Sequence, residues 1–556
     1  MKQMDEIEEK IKGAIAANEV STENIQFEYP ADLAHGDLST NIAMVEAKNA
    51  GMAPDELAEK IATVISDIEG VEKAEVAGAG FINIFLAPSV FAGVLKEVLM
   101  APESWGKSNV LSGKHFLIEH SSPNLFKPFH IGHLVNNAVG ESLVRLARVC
   151  GAKVTTLSFP SDISPGIAKA VWALAGVEKI NEQTMGEAYV RGTAAYEKEE
   201  SARREIDTIN TQLYTKEHGE TYDVYWRGRE FSLEYFKNVI TRLGSHFDDL
   251  IFESETEEIG KEVVRRNIPN VFEESDGAVI FPGSRYGLFD NVFINSAGFA
   301  TYLGKDIGLL NIKFKRYTFY TSLTVTDVEQ KHHFELVKKA AELIDAEWAK
   351  KSRFIHHGRL QFSGGKVSSR YGNVPLVEDL LAQVVSAVIP RVRERNAEAD
   401  VADVAERIAI AALKYSILKV STGRNMTFDF ARSLSVEGDS GPYVQYAHAR
   451  ACSVLSAAQE EGVAPEVAPP QTLGERRATG MLMQFPYVVR RAQEELEPHY
   501  VAVYVGELAA LYNSWYATER VLKTPDASRR LALTEAVAIT LKNGLWLLGI
   551  NAPERM

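Results

Sequence analysis

Apolar residues recur every three to four positions through MKQMDEIEEKIKGAIAANEV, with acids between them, so the chain is expected to begin with an amphipathic helix. A second helix is predicted through APDELAEKIATVIS, and the alternating stretches VEKAEVAG and GFINIFLA read as half-buried strands. Residues 1–100 therefore form a small α+β unit, followed by APESWGKSNVLSGK, which has the composition of a linker. Between 101 and 375 short apolar runs alternate with helical patterns: HFLIE, KVTTLSF, GAVIFP, NVFIN and YTFYTSL. That rhythm predicts a doubly wound, Rossmann-like parallel sheet. A charged helical insertion at about 178–235 interrupts it. From 376 to 556 no strand is predicted. Segments such as ERIAIAALKYSILKVS, YVQYAHARACSVLSAAQ and LALTEAVAITLKNGLWLLGI predict an all-α bundle, crossed by a Pro-rich link at 464–470. The fold class expected is multidomain α/β: an N-terminal α+β unit, a Rossmann-like sheet domain and a C-terminal helical bundle.

Composition changes this picture little. A chain of 556 residues exceeds one core, and 46% hydrophobic with 24% charged residues excludes wholesale disorder. No apolar run is long enough to span a bilayer, and the acidic opening segment resembles neither a signal nor a transit peptide. A cytoplasmic protein without membrane contact is expected. Cys150 and Cys452 are too few for a multi-cysteine zinc site and are expected to be reduced. The net charge of −15 weighs against a nucleic-acid partner, except through local basic patches.

The candidate chemistry lies in two loops. PFHIGHL, 128–134, stands at a strand-to-helix junction, where unpaired N–H groups and the helix dipole favour an anion. Gly132 permits close approach to the backbone, and His130 and His133 can lie on one side of the turn as phosphate donors. FSGGKVSSRYGN, 362–373, offers Gly364 and Gly365 as a flexible base, and Lys366, Ser368, Ser369 and Arg370 as donors. Such a loop suits closure over a polyphosphate. Singly, each is matched equally well by an ordinary surface feature.

Together, in this order on an α/β scaffold, they resemble the His-Ile-Gly-His and Lys-Met-Ser-Lys-Ser motifs of class I aminoacyl-tRNA synthetases. Here the second has Val367 for Met and Arg370 for the second Lys. The resemblance implies that Pro128, His130, Gly132, His133, Lys366, Ser368 and Ser369 bind ATP, with His130, His133 and Lys366 catalytic. LIEHSSPNLFKPFHIGHL, FATYLGKDIGLL, DVEQKHHF, EGDSGPYVQYAHAR and GLWLLGINAPERM narrow it to the arginyl-tRNA synthetase family.

That family implies an arginine–tRNA ligase whose substrates are L-arginine, ATP with Mg²⁺ and tRNA(Arg), acting as a monomer with no permanent metal. A guanidinium needs fixed carboxylates in two-pronged geometry. By the resemblance, Glu119, Asn124, Tyr302, Asp306 and Gln330 line the arginine site, with Glu274 of EESDGA as a further member. Ordinary structural roles compete for two of them: a buried ion pair for Glu119, and a helix-start acid for Asp306. The bundle is implied to read the anticodon through Tyr443, Tyr446, Arg450 and Met556, and Phe81 and Asn83 to touch the tRNA elbow. One stretch departs: SFPSDISPGIAKAV keeps Asp162 but lacks the aromatic residue and Gln usual downstream. The alternatives are a class I ligase for another amino acid or an adenylyltransferase of the His-x-Gly-His type, and a non-catalytic RNA-binding or regulatory relative.

Overall fold

The computed structural model describes residues 2–30, 32–363, 376–395 and 401–556. Helix α1 (Lys2–Ala17) buries Ile7, Ile11 and Ile15, the four-residue spacing of its apolar stripe. Strand β1 (Leu38–Thr40) is followed by α2 (Ile42–Ala50), α3 (Pro54–Ser66), β2 (Val71–Ala77), β3 (Phe81–Leu86) and α4 (Pro88–Met100). The strands form an antiparallel sheet in the order β1-β3-β2.

The next region runs β4 (His115–Glu119), α5 (Ile131–Val149), β5 (Lys153–Ser158) and α6 (Pro165–Leu174). The insertion follows as α7 (Glu182–Lys198), α8 (Glu200–Thr215) and α9 (Glu220–Arg242). The chain returns through β6 (Asp249–Leu250) and α10 (Glu253–Arg266) to β7 (Glu273–Ser275), β8 (Ala278–Phe281) and β9 (Asn291–Ile294). It continues through α11 (Tyr302–Arg316), β10 (Thr321–Asp327), α12 (Lys331–Ile344), α13 (Ala346–Lys351) and β11 (Ser352–His357). Five strands make the parallel sheet, in the order β11-β10-β4-β5-β6.

Two of the expected parallel strands lie elsewhere. GAVIFP and NVFIN become β8 and β9 of a separate antiparallel sheet with β7. The turn between β7 and β8 is Asp276-Gly277, with φ of +49° and +78°, the left-handed pair that two-residue hairpins require. The strand expected in YTFYTSL begins later, at Thr321.

The remainder is helical: α14 (Val377–Arg395), α15 (Val401–Leu418), α16 (Phe430–Ser433), α17 (Gly441–Glu460), α18 (Leu473–Glu495), α19 (His499–Thr518) and α20 (Ala527–Leu547). It is not strand-free. β12 (Leu360–Ser363) pairs in parallel with β13 (Met426–Asp429), and Ser363 Oγ donates to Asp429 Oδ2 at 2.7 Å. Strands of four residues are too short for their alternation to stand out in a helical context.

Helix α5 is shared between the sheet and the bundle. Ser142 Oγ donates to the Leu547 carbonyl at 2.9 Å, and Arg145 Nη1 to the Trp546 carbonyl at 2.8 Å. Nearby, the buried Lys414 Nζ donates to the carbonyls of Leu243 (2.6 Å) and Gly549 (2.9 Å). Burial, and Arg145 beside it, push its pKa down to about 7. At the other side, Arg476 pairs with buried Asp37 at 2.7 Å and Arg490 with Asp5 at 3.2 Å, so α18 is fastened to the N-terminal unit. Among the described residues no helix is long and apolar enough to cross a membrane.

Candidate active site

The local geometry of HIGH, residues 130–133, explains its histidines. His130 is the N-cap of α5, and its Nδ1 accepts from the Gly132 N–H at 3.1 Å. His133 Nδ1 reaches back to accept from the His130 N–H at 3.3 Å. Each ring satisfies a backbone donor that a helix start leaves unpaired, so together they form a capping box made of imidazoles. The rings stack with centroids 3.8 Å apart. A Cβ at Gly132 would stand 3.0 Å from His130 Cε1, so glycine gives the folded-back ring its room. Because both Nδ1 atoms accept, the proton of each neutral ring sits on Nε2. Burial, with the Lys127 charge, pushes the His130 pKa down to about 4; burial and His130 hold His133 well below the usual range. Both are therefore neutral N–H donors at pH 7.

The loop between β4 and α5 carries two left-handed residues that are not glycine, Ser121 (φ +53°) and Phe126 (φ +62°). Such conformations persist only where the surroundings over-determine them. Here the Asn136 side-chain carbonyl accepts from the Ser121 N–H at 2.6 Å, and Ser232 Oγ from the Phe126 N–H at 3.0 Å. The Ser161 carbonyl accepts from the Leu125 N–H at 3.0 Å, while the Ser161 N–H donates to the Pro123 carbonyl at 2.9 Å. The divergent stretch is thus stitched to this loop. Its retained acid, Asp162, is fully buried and accepts from Arg229 Nε (3.1 Å), the Ser254 N–H (2.9 Å) and Ser254 Oγ (2.7 Å). It fixes the start of α10.

A cavity of about 590 Å³ opens at the C-terminal ends of the parallel strands. Ligand sites of open α/β sheets lie at that edge. Glu119, Asn124, His130, Gly132, His133, Tyr302, Asp306 and Gln330 all line it. Five carboxylates line it, Glu119, Asp306, Glu253, Asp327 and Glu329, the last two sharing Arg359 as a partner. Glu119 Oε2 is 2.5 Å from the buried Lys313 Nζ, so the ion pair weighed for this residue is present. Asp306 Oδ2 is 2.5 Å from His333 Nε2. The third acid is Glu253, whose Oε2 accepts from Lys305 Nζ at 2.7 Å. Burial raises the Glu253 carboxyl pKa although Lys305 opposes it; burial works against the Lys305 charge, but Glu253 and Tyr214 more than offset it.

Other expected residues lie apart. Glu274 is exposed on β7 and does not line the cavity, because the hairpin carries it away. Pro128 borders a different cavity, of about 620 Å³, with Glu182 and Glu378. Lys366, Ser368 and Ser369 lie outside the described residues. Sequence reasoning missed Glu253, Asn136, His333 and His357 as cavity residues. Glu253 sits in the first turn of an acid-rich helix, where no spacing marks it; His333 at least falls inside DVEQKHHF.

The residues expected at tRNA are scattered over the other two units. Phe81 is exposed, whereas Asn83, two residues on and on the same face of β3, is buried. Tyr443, Tyr446 and Arg450 are half-buried on α17. Arg450 donates to Asn513 Oδ1 at 2.6 Å and to Tyr446 OH at 3.2 Å, and lies over the rings of Tyr446 and Tyr516. His448, on the same helix, is buried, with Nδ1 bonded to the Pro553 carbonyl at 2.9 Å. Met556 is half-buried.

Three family models match in order along the chain. Residues 5–86 match the arginyl tRNA synthetase N terminal domain, 95–430 the catalytic domain of tRNA synthetases class I (R), and 444–556 the DALR anticodon binding domain. The chain belongs to the class I arginyl-tRNA synthetase family. It is 31% identical over 568 residues to an arginine–tRNA ligase of Clostridium perfringens, with 99% of each chain covered. It is 30% identical to one of Treponema denticola, over 97% of this chain and 96% of that one. The arginyl-tRNA synthetase structure of Thermus thermophilus superposes with a TM-score of 0.81 at 26% identity, covering 99% of this chain and all of its own. That of Plasmodium falciparum, at 17% identity and a TM-score of 0.77, shares the fold. Membership in this family accounts for the parallel sheet, the N-terminal unit and the helical bundle alike.

Proposed function

We propose that the cavity activates L-arginine with MgATP and passes it to the 3′ end of tRNA(Arg). The observation that carries this reading is the meeting of the His130–His133 helix start with Glu119, Glu253 and Asp306 around one cavity. A guanidinium is a planar fork of donors, and several fixed carboxylates match it where a lysine ammonium would leave acceptors unpaired. Glu119, Asn124, Tyr302, Asp306 and Gln330 hold the arginine in this reading, with Glu253 added. The first N–H groups of α5 and the two Nε2–H groups take the phosphates, and Lys366, Ser368 and Ser369 contribute from the second motif.

In the first step an arginine carboxylate oxygen bonds to the α-phosphorus as the bond to the bridging oxygen breaks and pyrophosphate leaves with Mg²⁺. No enzyme nucleophile is required; positioning and charge stabilisation lower the barrier. In the second step a hydroxyl of the terminal ribose attacks the carbonyl carbon and AMP leaves. Residues 1–100, with Phe81 and Asn83, contact the tRNA body, and 376–556 read the anticodon with Tyr443, Tyr446, Arg450 and Met556. The protein works as a monomer in the cytoplasm. Incubating the purified chain with ATP, tRNA and each of the twenty amino acids tests the reading. Arginyl-tRNA is the expected product; preferential charging of another amino acid rejects it.

A further inference from the structure

The last helix of the insertion, α9, is fastened to the first motif. Its Tyr235 is buried, and the hydroxyl stands at the backbone of Phe129, the residue before the His130 cap. The Phe129 N–H donates to Tyr235 OH at 3.2 Å, and Tyr235 OH donates to Glu378 Oε2 at 3.0 Å. Glu378 lies in the first turn of α14, next to Val377, whose N–H donates to the Phe129 carbonyl at 2.9 Å. These contacts close a ring that runs from Phe129 to Tyr235, on to Glu378, and back through Val377. Both polar groups of the Phe129 backbone are thereby committed outside the motif. Its two neighbours offer no second hold through their own N–H groups, since Pro128 has none and that of His130 is taken by His133 Nδ1.

A hydroxyl accepts from an amide and donates to a carboxylate at once, which a phenyl ring of the same shape cannot do. Burial, and after it the Glu378 charge, push the Tyr235 pKa above its ordinary value, so the proton stays on the oxygen at neutral pH. The consequence for the motif comes through the Phe129 side chain. That ring is buried and stacks on the His133 ring, with centroids 4.7 Å apart and planes 28° from parallel. On its other contact it meets Phe236, the residue after Tyr235, at 6.0 Å. Helix α9 thus holds Phe129 by backbone and by ring, and Phe129 in turn backs one of the two imidazoles. Tyr235 itself does not line the active-site cavity, so its influence on chemistry passes through the groups it holds.

We propose that Tyr235 is a positioning residue: its hydroxyl fixes Phe129 between α9 and α14 and so sets the place of the His133 imidazole at the cavity. This rests on the aminoacylation reading above and gives the insertion a part in it. A His133 ring displaced by a fraction of an ångström still meets the substrate but loses its alignment in the transition state. Tyr235→Phe removes one oxygen and keeps the ring. It is expected to lower kcat per active site about tenfold while the KM for arginine stays within about twofold. Glu378→Ala should act in the same way, and Glu378→Gln, which keeps an acceptor, should lose less. The double variant Tyr235→Phe/Glu378→Ala should lose little more than Tyr235→Phe alone, because both break one ring of contacts. In histidine-labelled enzyme the NMR signal of the His133 ring, assigned with His133→Gln, should move in Tyr235→Phe. An unmoved signal, an unchanged kcat, or a KM for arginine that rises as far as kcat falls overturns the positioning. If the wild type makes no arginyl-tRNA yet the signal moves, the functional reading falls and the positioning stands.

Discussion

At the scale of single residues, the histidine pair does two jobs with one geometry. Nδ1 of each ring closes the helix start and leaves Nε2–H as a donor, which is possible only while the rings are neutral. With His130 at about 4, its imidazole should show neutral ¹⁵N shifts at pH 6, and a protonated signal there would contradict the capping geometry. The sign for stability follows. His120, also held at about 4 by burial, and His130 bind protons in the unfolded chain below 6.5 but not in the native state until about 4. Their contribution is complete above pH 6.5 and is lost as the pH falls toward 4. Asp306→Ala should raise the KM for arginine by about 10- to 100-fold, the worth of one charge-assisted hydrogen bond. Steady-state kinetics with wild-type arginine affinity would remove Asp306 from the site. Motif residues such as His130 and Glu119 were legible because their neighbours are distinctive. Glu253 was not, because an acid in a helix first turn has a dipole explanation already.

At the scale of elements, the pairing of Glu119 at the end of β4 with Lys313 on α11 decides how tolerant the site is to change. Lys313→Met leaves the buried Glu119 carboxylate at the cavity wall without its cation and should cost about 3–5 kcal/mol in chemical denaturation, more than the double variant Lys313→Met/Glu119→Gln costs. A single variant no less stable than the double would mean that the two charges do not support one another. The first strands and the helix after them, HFLIE through VRLARVCG, could be read directly because the period changes from two to 3.6 at the motif. The hairpin β7–β8 was misassigned although Asp276-Gly277 announces it: a four-residue apolar run fits a buried parallel strand equally well until the turn is weighed. β12 and β13 carry no such punctuation and gain their strand character from each other.

At the scale of the whole molecule, two arginines of α18, Arg476 and Arg490, are fasteners. Arg476 reaches Asp37 and the Leu86 carbonyl, at 2.7 and 3.1 Å, in the N-terminal unit. Arg476→Ala should lower stability by about 2 kcal/mol, because Asp37 is left buried, and should expose the N-terminal unit to protease first. Digestion no faster than in the wild type would show the fastening to be redundant. Sequence could not assign these arginines, since an exposed basic face and an inter-unit contact have the same pattern. Helix α5 carries the largest consequence. Its 19 residues make a rod of about 28 Å, with the imidazoles at one tip and the Ser142 and Arg145 bonds to the end of α20 along its other half. Tilting such a lever by only about 2° swings the far tip through roughly 1 Å, and a misplacement of that size can slow chemistry a hundredfold. Substitutions around Trp546 and Leu547 can therefore weaken catalysis without touching a substrate.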